Sequence, residues 1–306
     1  MSIPVWIPVT VAAASFQVWR TALQARLRGE IAAGPAGFVR YVYALPVDIA
    51  LLLLAFGLTG ADFPRLSARF LVLCLGGGIA QIVGTILLIS AFGFRNFVVG
   101  TAYAKTEAAQ LVIVSIFLLG IALPPAAIAG ILLAVAGVLV LSLADKVDSV
   151  AALLKATVQP AALCGLGAGA AFAATALALR AAALTLPTTL PVLLKALLVL
   201  TVTNALQTLA QGGYMAIATP AALGRCFALW RRAAPVGVLS ALGSGCWFAG
   251  FALTDVALVR GLGQIEILFT VAVGHFFLHE RIRRGEIAGI VLVGLGVVLI
   301  AAGGIG

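Results

Sequence analysis

Residues 107–141, EAAQLVIVSIFLLGIALPPAAIAGILLAVAGVLVL, align without a gap onto residues 266–300, EILFTVAVGHFFLHERIRRGEIAGIVLVGLGVVLI, at an offset of 159. Glu107 falls on Glu266, Ile128-Ala129-Gly130-Ile131 on Ile287-Ala288-Gly289-Ile290, and Gly137-Val138 on Gly296-Val297. Upstream, with small shifts, Gly84, Leu87 and Ala91 fall on Gly250, Leu253 and Ala257, and Arg20 on Arg180. A repeat of this length divides the chain into two related halves, 1–146 and 147–306. The hydrophilic stretch 145–159, DKVDSVAALLKATVQ, joins them.

Both copies are apolar almost throughout, and so is the chain. Of its 306 residues, 63% are hydrophobic and 9% charged, with a mean hydropathy of +1.20. A soluble domain carries about a quarter charged residues. The deficit excludes a water-soluble globular protein, a disordered chain and a nucleic-acid binder. A helix crosses hydrocarbon with roughly 20 apolar residues. Runs bounded by charge, Pro and Gly lie at 3–19, 36–59, 69–92, 97–121, 124–143, 160–181, 188–212, 235–254, 261–278 and 286–304. These predict an all-α integral membrane protein of ten transmembrane helices, because backbone in lipid must close its own hydrogen bonds and the alternation of a barrel is missing. Five spans per half is an odd number, so the second half enters the membrane with opposite polarity and the repeats have inverted topology. The N-terminal run lacks a preceding basic stretch and reads as a retained first span.

The net charge of +9 comes from cations scattered through short loops, where they set orientation and meet head groups. Cys74, Cys164, Cys226 and Cys246 have no CxxC spacing and read as small packing residues. The 34 glycines, with GGG at 76–78 and GLGAG at 165–169, allow close helix approach. Seven-residue spacing puts Gly130 and Gly137, and likewise Gly289 and Gly296, on one face each.

Two five-span halves, an Arg early in the second span (GFVRYVYAL, 37–45) and a Glu before a small-residue-rich last helix (FFLHERIRRGEIAGIVLVGLGVVLI, 276–300) resemble the EamA-like branch of the drug/metabolite transporter superfamily. The first half departs from the second at Gly120-Ile121, which stand opposite His279-Glu280. The resemblance implies an inner-membrane secondary transporter, exporting or exchanging a small amino-acid-like or drug-like metabolite by alternating access between the repeats. It implies no cofactor, and a monomer or homodimer in the lipid bilayer.

Ionisable groups at bilayer depth are costly and mark pathways or buried pairs. Arg40, Asp48, Lys105, Glu107, Lys195, Asp255 and Glu266 qualify. Lys105 and Glu107 lie about ten residues into their span, and two positions on a helix differ by about 200°. One therefore faces a cavity and the other a partner helix, or the helix breaks there. Glu266 is the repeat mate of Glu107, placed some six residues into its span. Arg40 and Lys195 give each half a further cation, with snorkelling to head groups as the bland alternative. Asp48 follows Pro46 by two residues, where a proline bends the axis; the bend is either a gate or a packing feature with Asp48 bonded to freed backbone. A zwitterionic substrate would place its carboxylate at Arg40, Lys105 or Lys195 and its amine at Glu107 or Glu266. Tyr103, Gln264, Trp247, Gln81 and Asn204 complete the expected binding set. A coupling proton, where one is used, would be carried by Glu107 or Glu266, since burial of a carboxylate favours its protonated form.

His275 and His279 share a helical face, but the HExxH order is absent and nothing completes a ligand set, so they read as an interfacial pair and not a metal site. No nucleotide-binding loop is present. The rival classes are an intramembrane enzyme and a non-transporting membrane subunit. Arg20, Arg26, Arg28, Arg95, Lys146, Lys155, Arg225, Arg231, Arg232, Arg281, Arg283 and Arg284 fall in the odd-numbered loops, and Arg65, Arg69, Arg180 and Arg260 in the alternate ones. That excess puts the termini outside, whereas the resembled family has them in the cytoplasm; orientation stays open.

Overall fold

The computed structural model describes residues 3–27, 30–31, 33–93, 102–143, 159–277 and 284–304. His279 and nearly all of the joint at 145–159 lie outside these residues. Every regular element described is helical. In chain order they are α1 (Trp6–Leu27), α2 (Ala33–Val42), α3 (Leu45–Thr59), α4 (Ala68–Gly93), α5 (Glu107–Ile113) running into a π-helical turn (Val114–Leu118), α6 (Pro125–Leu143) and α7 (Pro160–Leu184). They continue as α8 (Val192–Ala218), α9 (Pro220–Ala228), α10 (Trp230–Leu253), α11 (Val256–Leu262), α12 (Ile265–Phe277) and α13 (Arg284–Gly303).

Among the described residues, six helices are long and apolar enough to cross a membrane: Gly34–Thr59, Ala68–Leu88, Pro125–Ser142, Pro160–Leu184, Val192–Ala218 and Trp230–Leu253. The chain is thus a multi-pass membrane protein. Its lipid-like exterior is visible on α3 and α4, where Leu53, Leu54, Leu58, Val72 and Ile79 are all exposed. Helix also occupies the other apolar runs, but in two of them it is interrupted, at Lys105-Thr106 and at Gly263-Gln264. A third break separates α2 from α3. Pro46 has no N–H to donate to the Val42 carbonyl, and its ring crowds that turn; α2 ends at Val42 for that reason. The ladder resumes with the Asp48 N–H donating to the Ala44 carbonyl at 2.9 Å. Two residues past the π-helical turn stands Gly120, whose φ of +65° suits a residue without Cβ.

The chain forms two compact units, each drawing on both halves of the sequence. One comprises Met1–Ala14, Val83–Ala174 and Asp255–Gly306; the other comprises Ser15–Ile82 and Thr175–Thr254. In the second unit, Leu27, Ile31, Phe38 and Val39 pack with Met215, Cys226, Ala233 and Val236 into a buried apolar cluster. All four cysteines are free thiols.

The first unit is organised around α6 and α13, which are the closing helices of the two copies of the sequence repeat. A Cβ on Gly130 would lie 2.7 Å from the Gly296 carbonyl oxygen, and one on Gly296 would lie 2.6 Å from the Gly130 oxygen. A Cβ on Gly137 would lie 2.9 Å from the Gly289 oxygen, and one on Gly289 would lie 2.8 Å from the Gly137 oxygen. As one helix advances from 130 to 137 its partner retreats from 296 to 289, so the two run antiparallel. The contacts are also reciprocal: Gly130 is the repeat mate of Gly289, and Gly137 of Gly296. Backbone meets backbone, as small residues permit.

Any side chain on these four glycines must therefore force the helices apart. Gly296→Leu should lower the thermal midpoint of the detergent-solubilised chain, with a cost of about 1–3 kcal/mol or more for overpacking. Gly294→Ala, where a Cβ meets nothing within 4 Å, should leave the midpoint unchanged. Equal midpoints for both variants would contradict the packing.

Candidate functional site

The two helix breaks of the first unit lie in corresponding repeat positions, since Lys105 is the mate of Gln264. Each break is closed by tight i to i−3 bonds. Lys105 N–H donates to the Ala102 carbonyl and Thr106 N–H to that of Tyr103, both at 3.1 Å. Gln264 and Glu266 N–H donate to the carbonyls of Gly261 and Gly263, both at 3.0 Å. Across the pair, the Gln264 amide donates to the Lys105 carbonyl at 3.4 Å. Thr106 Oγ1 bonds the Tyr103 carbonyl at 2.6 Å and accepts from Gln110 Nε2 at 3.0 Å. Gly169 of α7 lets this break approach, for a Cβ there would lie 3.0 Å from the Ala104 oxygen.

Four charges converge at these breaks. Lys105 Nζ donates to Glu266 Oε2 at 2.7 Å. Arg260 Nε stands 3.0 Å from Glu107 Oε1. Lys105 and Glu266 are also within electrostatic reach of Glu107. The cluster holds two cations and two carboxylates, none more than 27% exposed, and each pair joins one half of the sequence to the other. The break at Lys105-Thr106 is the second of the two arrangements expected from the sequence, a helix broken between Lys105 and Glu107.

Arg260 corrects the sequence reading, which placed it in a loop ahead of a span beginning at 261. It lies in α11, which starts at Val256 behind Asp255. Asp255 is an N-cap: its Oδ1 accepts from the Ala257 N–H at 2.8 Å, so it is a helix-start signal more than an intramembrane charge. Recognising that cap would have moved the span's start upstream and brought Arg260 inside. Glu266 then stands in the middle of the 256–277 segment, deeper than six residues from its start.

The remaining expected residues divide between the units. Tyr103, in the first, is buried against Ala161 and Ala162. Arg40, Lys195, Gln81, Asn204 and Trp247 belong to the second. The Arg40 guanidinium lies over the Tyr41 ring, 5.3 Å from its centroid, and Lys195 is half-buried on α8. Gln207 Nε2 donates to Gln81 Oε1 at 2.8 Å and to the Gly78 carbonyl at 3.1 Å. Asn204 Nδ2 donates to Asp48 Oδ2 at 2.6 Å. Trp247 stacks on Phe251 and donates to Gln17 Oε1 at 3.0 Å.

If the Lys105–Glu266 pair is a coupled unit, a double-mutant cycle of Lys105→Gln and Glu266→Gln should be non-additive. Each single variant strands a partly buried charge, and the double should recover about 1 kcal/mol or more relative to the sum in chemical or thermal unfolding. Strict additivity would show the two side chains to be energetically independent.

Residues 159–302 match the EamA-like transporter family, which belongs to the drug/metabolite transporter superfamily. The crystal structure of another protein superposes over 97% of this chain and 98% of its own with a TM-score of 0.71 and 17% sequence identity, a likeness of fold. No curated protein sequence matched.

Proposed function

We propose, from the match of its second half to the EamA-like transporter family, that the chain is a secondary transporter of a small zwitterionic metabolite, with Lys105, Glu107, Arg260 and Glu266 as its binding cluster. The observation that carries this reading is the pair of interleaved ion pairs at two helix breaks. The cluster is neutral overall, so a guest of net charge would leave an unmatched charge in a low-dielectric site. A zwitterion exchanges like for like: its carboxylate takes Lys105 or Arg260 while its amine takes Glu266 or Glu107, and every charge keeps a partner. An amino acid, or a drug carrying both signs, has this chemistry.

Ten crossings in two inverted five-helix repeats, 1–146 and 147–306, remain part of the proposal. The reciprocal, antiparallel contact of α6 with α13 supports it, because a pseudo-two-fold relation produces reciprocity of this kind. Alternating access, export, an inner-membrane setting and a monomer or homodimer follow from the family resemblance and complete the reading.

Proteoliposomes loaded with an amino-acid, nucleoside and drug panel test it. Zwitterions should be taken up or exchanged in preference to their singly charged analogues, and Glu107→Gln should reduce the rate at least tenfold, about 1.4 kcal/mol in binding or barrier, while the protein stays folded. A folded Glu107→Gln chain that transports normally would remove Glu107 from the mechanism. Preference for a singly charged substrate would overturn the like-for-like exchange.

A further inference from the structure

Asp48 is fully buried, at 0% exposure, and lies fourteen residues into the 26-residue apolar span Gly34–Thr59. Asn204 donates to its Oδ2. Its other oxygen, Oδ1, is buried without a hydrogen-bond partner. Among the described residues no cation pairs with it, in contrast to Glu107 and Glu266.

The helices packed against α3 are α8, α10 and α2, and among the described residues none of their cations forms an ion pair with Asp48. On α8, the residue that meets Asp48 is Asn204, and Lys195 is nine residues away, about 14 Å along the axis. On α10, Arg232 pairs with Glu30 and Arg231 lies over Trp230. On α2, Arg40 lies over Tyr41. Just before α3, the Tyr43 hydroxyl donates to the Cys226 carbonyl. An ionised carboxylate in such a place, with one neutral donor and no countercharge, costs several kcal/mol. One bound proton removes that cost.

We infer that Asp48 is a proton-binding site, neutral in the state seen here, that takes up and releases the proton the transport cycle carries. This deepens the proposed transporter function and rests on it; the sequence pointed to Glu107 or Glu266, but the structure gives each of those a cation to neutralise it. The step is simple protonation. The Asp48 carboxylate accepts H⁺ from water, Oδ1 becomes the hydroxyl, and Oδ2 remains the carbonyl that accepts from Asn204. The break ahead of Pro46 is the hinge at which Asp48 would meet water, since no backbone bond spans it to the Val42 carbonyl.

Infrared spectroscopy of the purified full-length chain in lipid tests this without any substrate. At neutral pH the wild type should show a protonated-carboxyl band that moves on ¹³C-aspartate labelling and is lost in Asp48→Asn. Asn204→Leu keeps the carboxyl but removes its donor, so it should retain the band at raised frequency; this variant carries the test if Asp48→Asn fails to fold. Superimposable wild-type and Asp48→Asn spectra would overturn the proposal. So would loss of the wild-type band on adding sodium chloride, which would make the site one for sodium. Failure of the band leaves the transport reading standing, whereas a band present in a chain that transports nothing would remove transport and keep the proton site.

Discussion

Lipid offers neither water nor counterion, and the structure is organised by that lack. Backbone groups are closed into helices almost everywhere. Where a helix is interrupted, the chain supplies substitutes: tight turns at Lys105-Thr106 and Gly263-Gln264, and a proline at the α2–α3 break that has no N–H to orphan. Each interruption has ionisable or amide groups beside it: Lys105 with Glu107, Gln264 with Glu266, and Asp48 just beyond Pro46. A break costs stability in hydrocarbon, and concentrating polar groups there lets the same loosened turns serve backbone and side chains together.

Charge is handled in two different ways. In the first unit every carboxylate of the cluster has a cation and the sum is zero. In the second, Asp48 has an amide partner and no cation among the described residues. The first arrangement can exchange partners with a guest that carries both signs; the second can be neutralised by something as small as a proton.

Much of the architecture was legible in the sequence because it depends on side-chain size and apolar run length. The matched Gly130, Gly137, Gly289 and Gly296 announced a close helix contact, and they are in one. The deep charges at Lys105, Glu107 and Glu266 were also legible, since few residues in the chain are charged at all. What stayed hidden was partnership. Nothing in the linear pattern told that Lys105 would reach across to Glu266 and leave Glu107 to Arg260, because those contacts bridge segments about 160 residues apart. Arg260 was read as a loop cation because the apolar run was taken to begin just after it, whereas Arg260 and Gly261 both lie inside α11 and the break falls at Gly263-Gln264. Asn204 was visible only as one polar residue among several on α8, and its pairing with Asp48 is a product of packing.

The glycine contact and the charge cluster are physically connected. Gly261 packs against the α6–α13 crossing, where a Cβ would lie 2.5 Å from Ile131 Cγ1 and 3.2 Å from Ile300 Cδ1. Its neighbour Arg260 is thereby fixed on α11, and Arg260 holds Glu107. Close-packed interiors do not deform continuously but shift between discrete arrangements. A displacement of α6 against α13 must then carry Gly261 and Arg260 with it, or break the contact with Glu107. The Arg260–Glu107 ion pair is thus coupled to an interface that leaves little room for adjustment, and any displacement of α6 against α13 would disturb it.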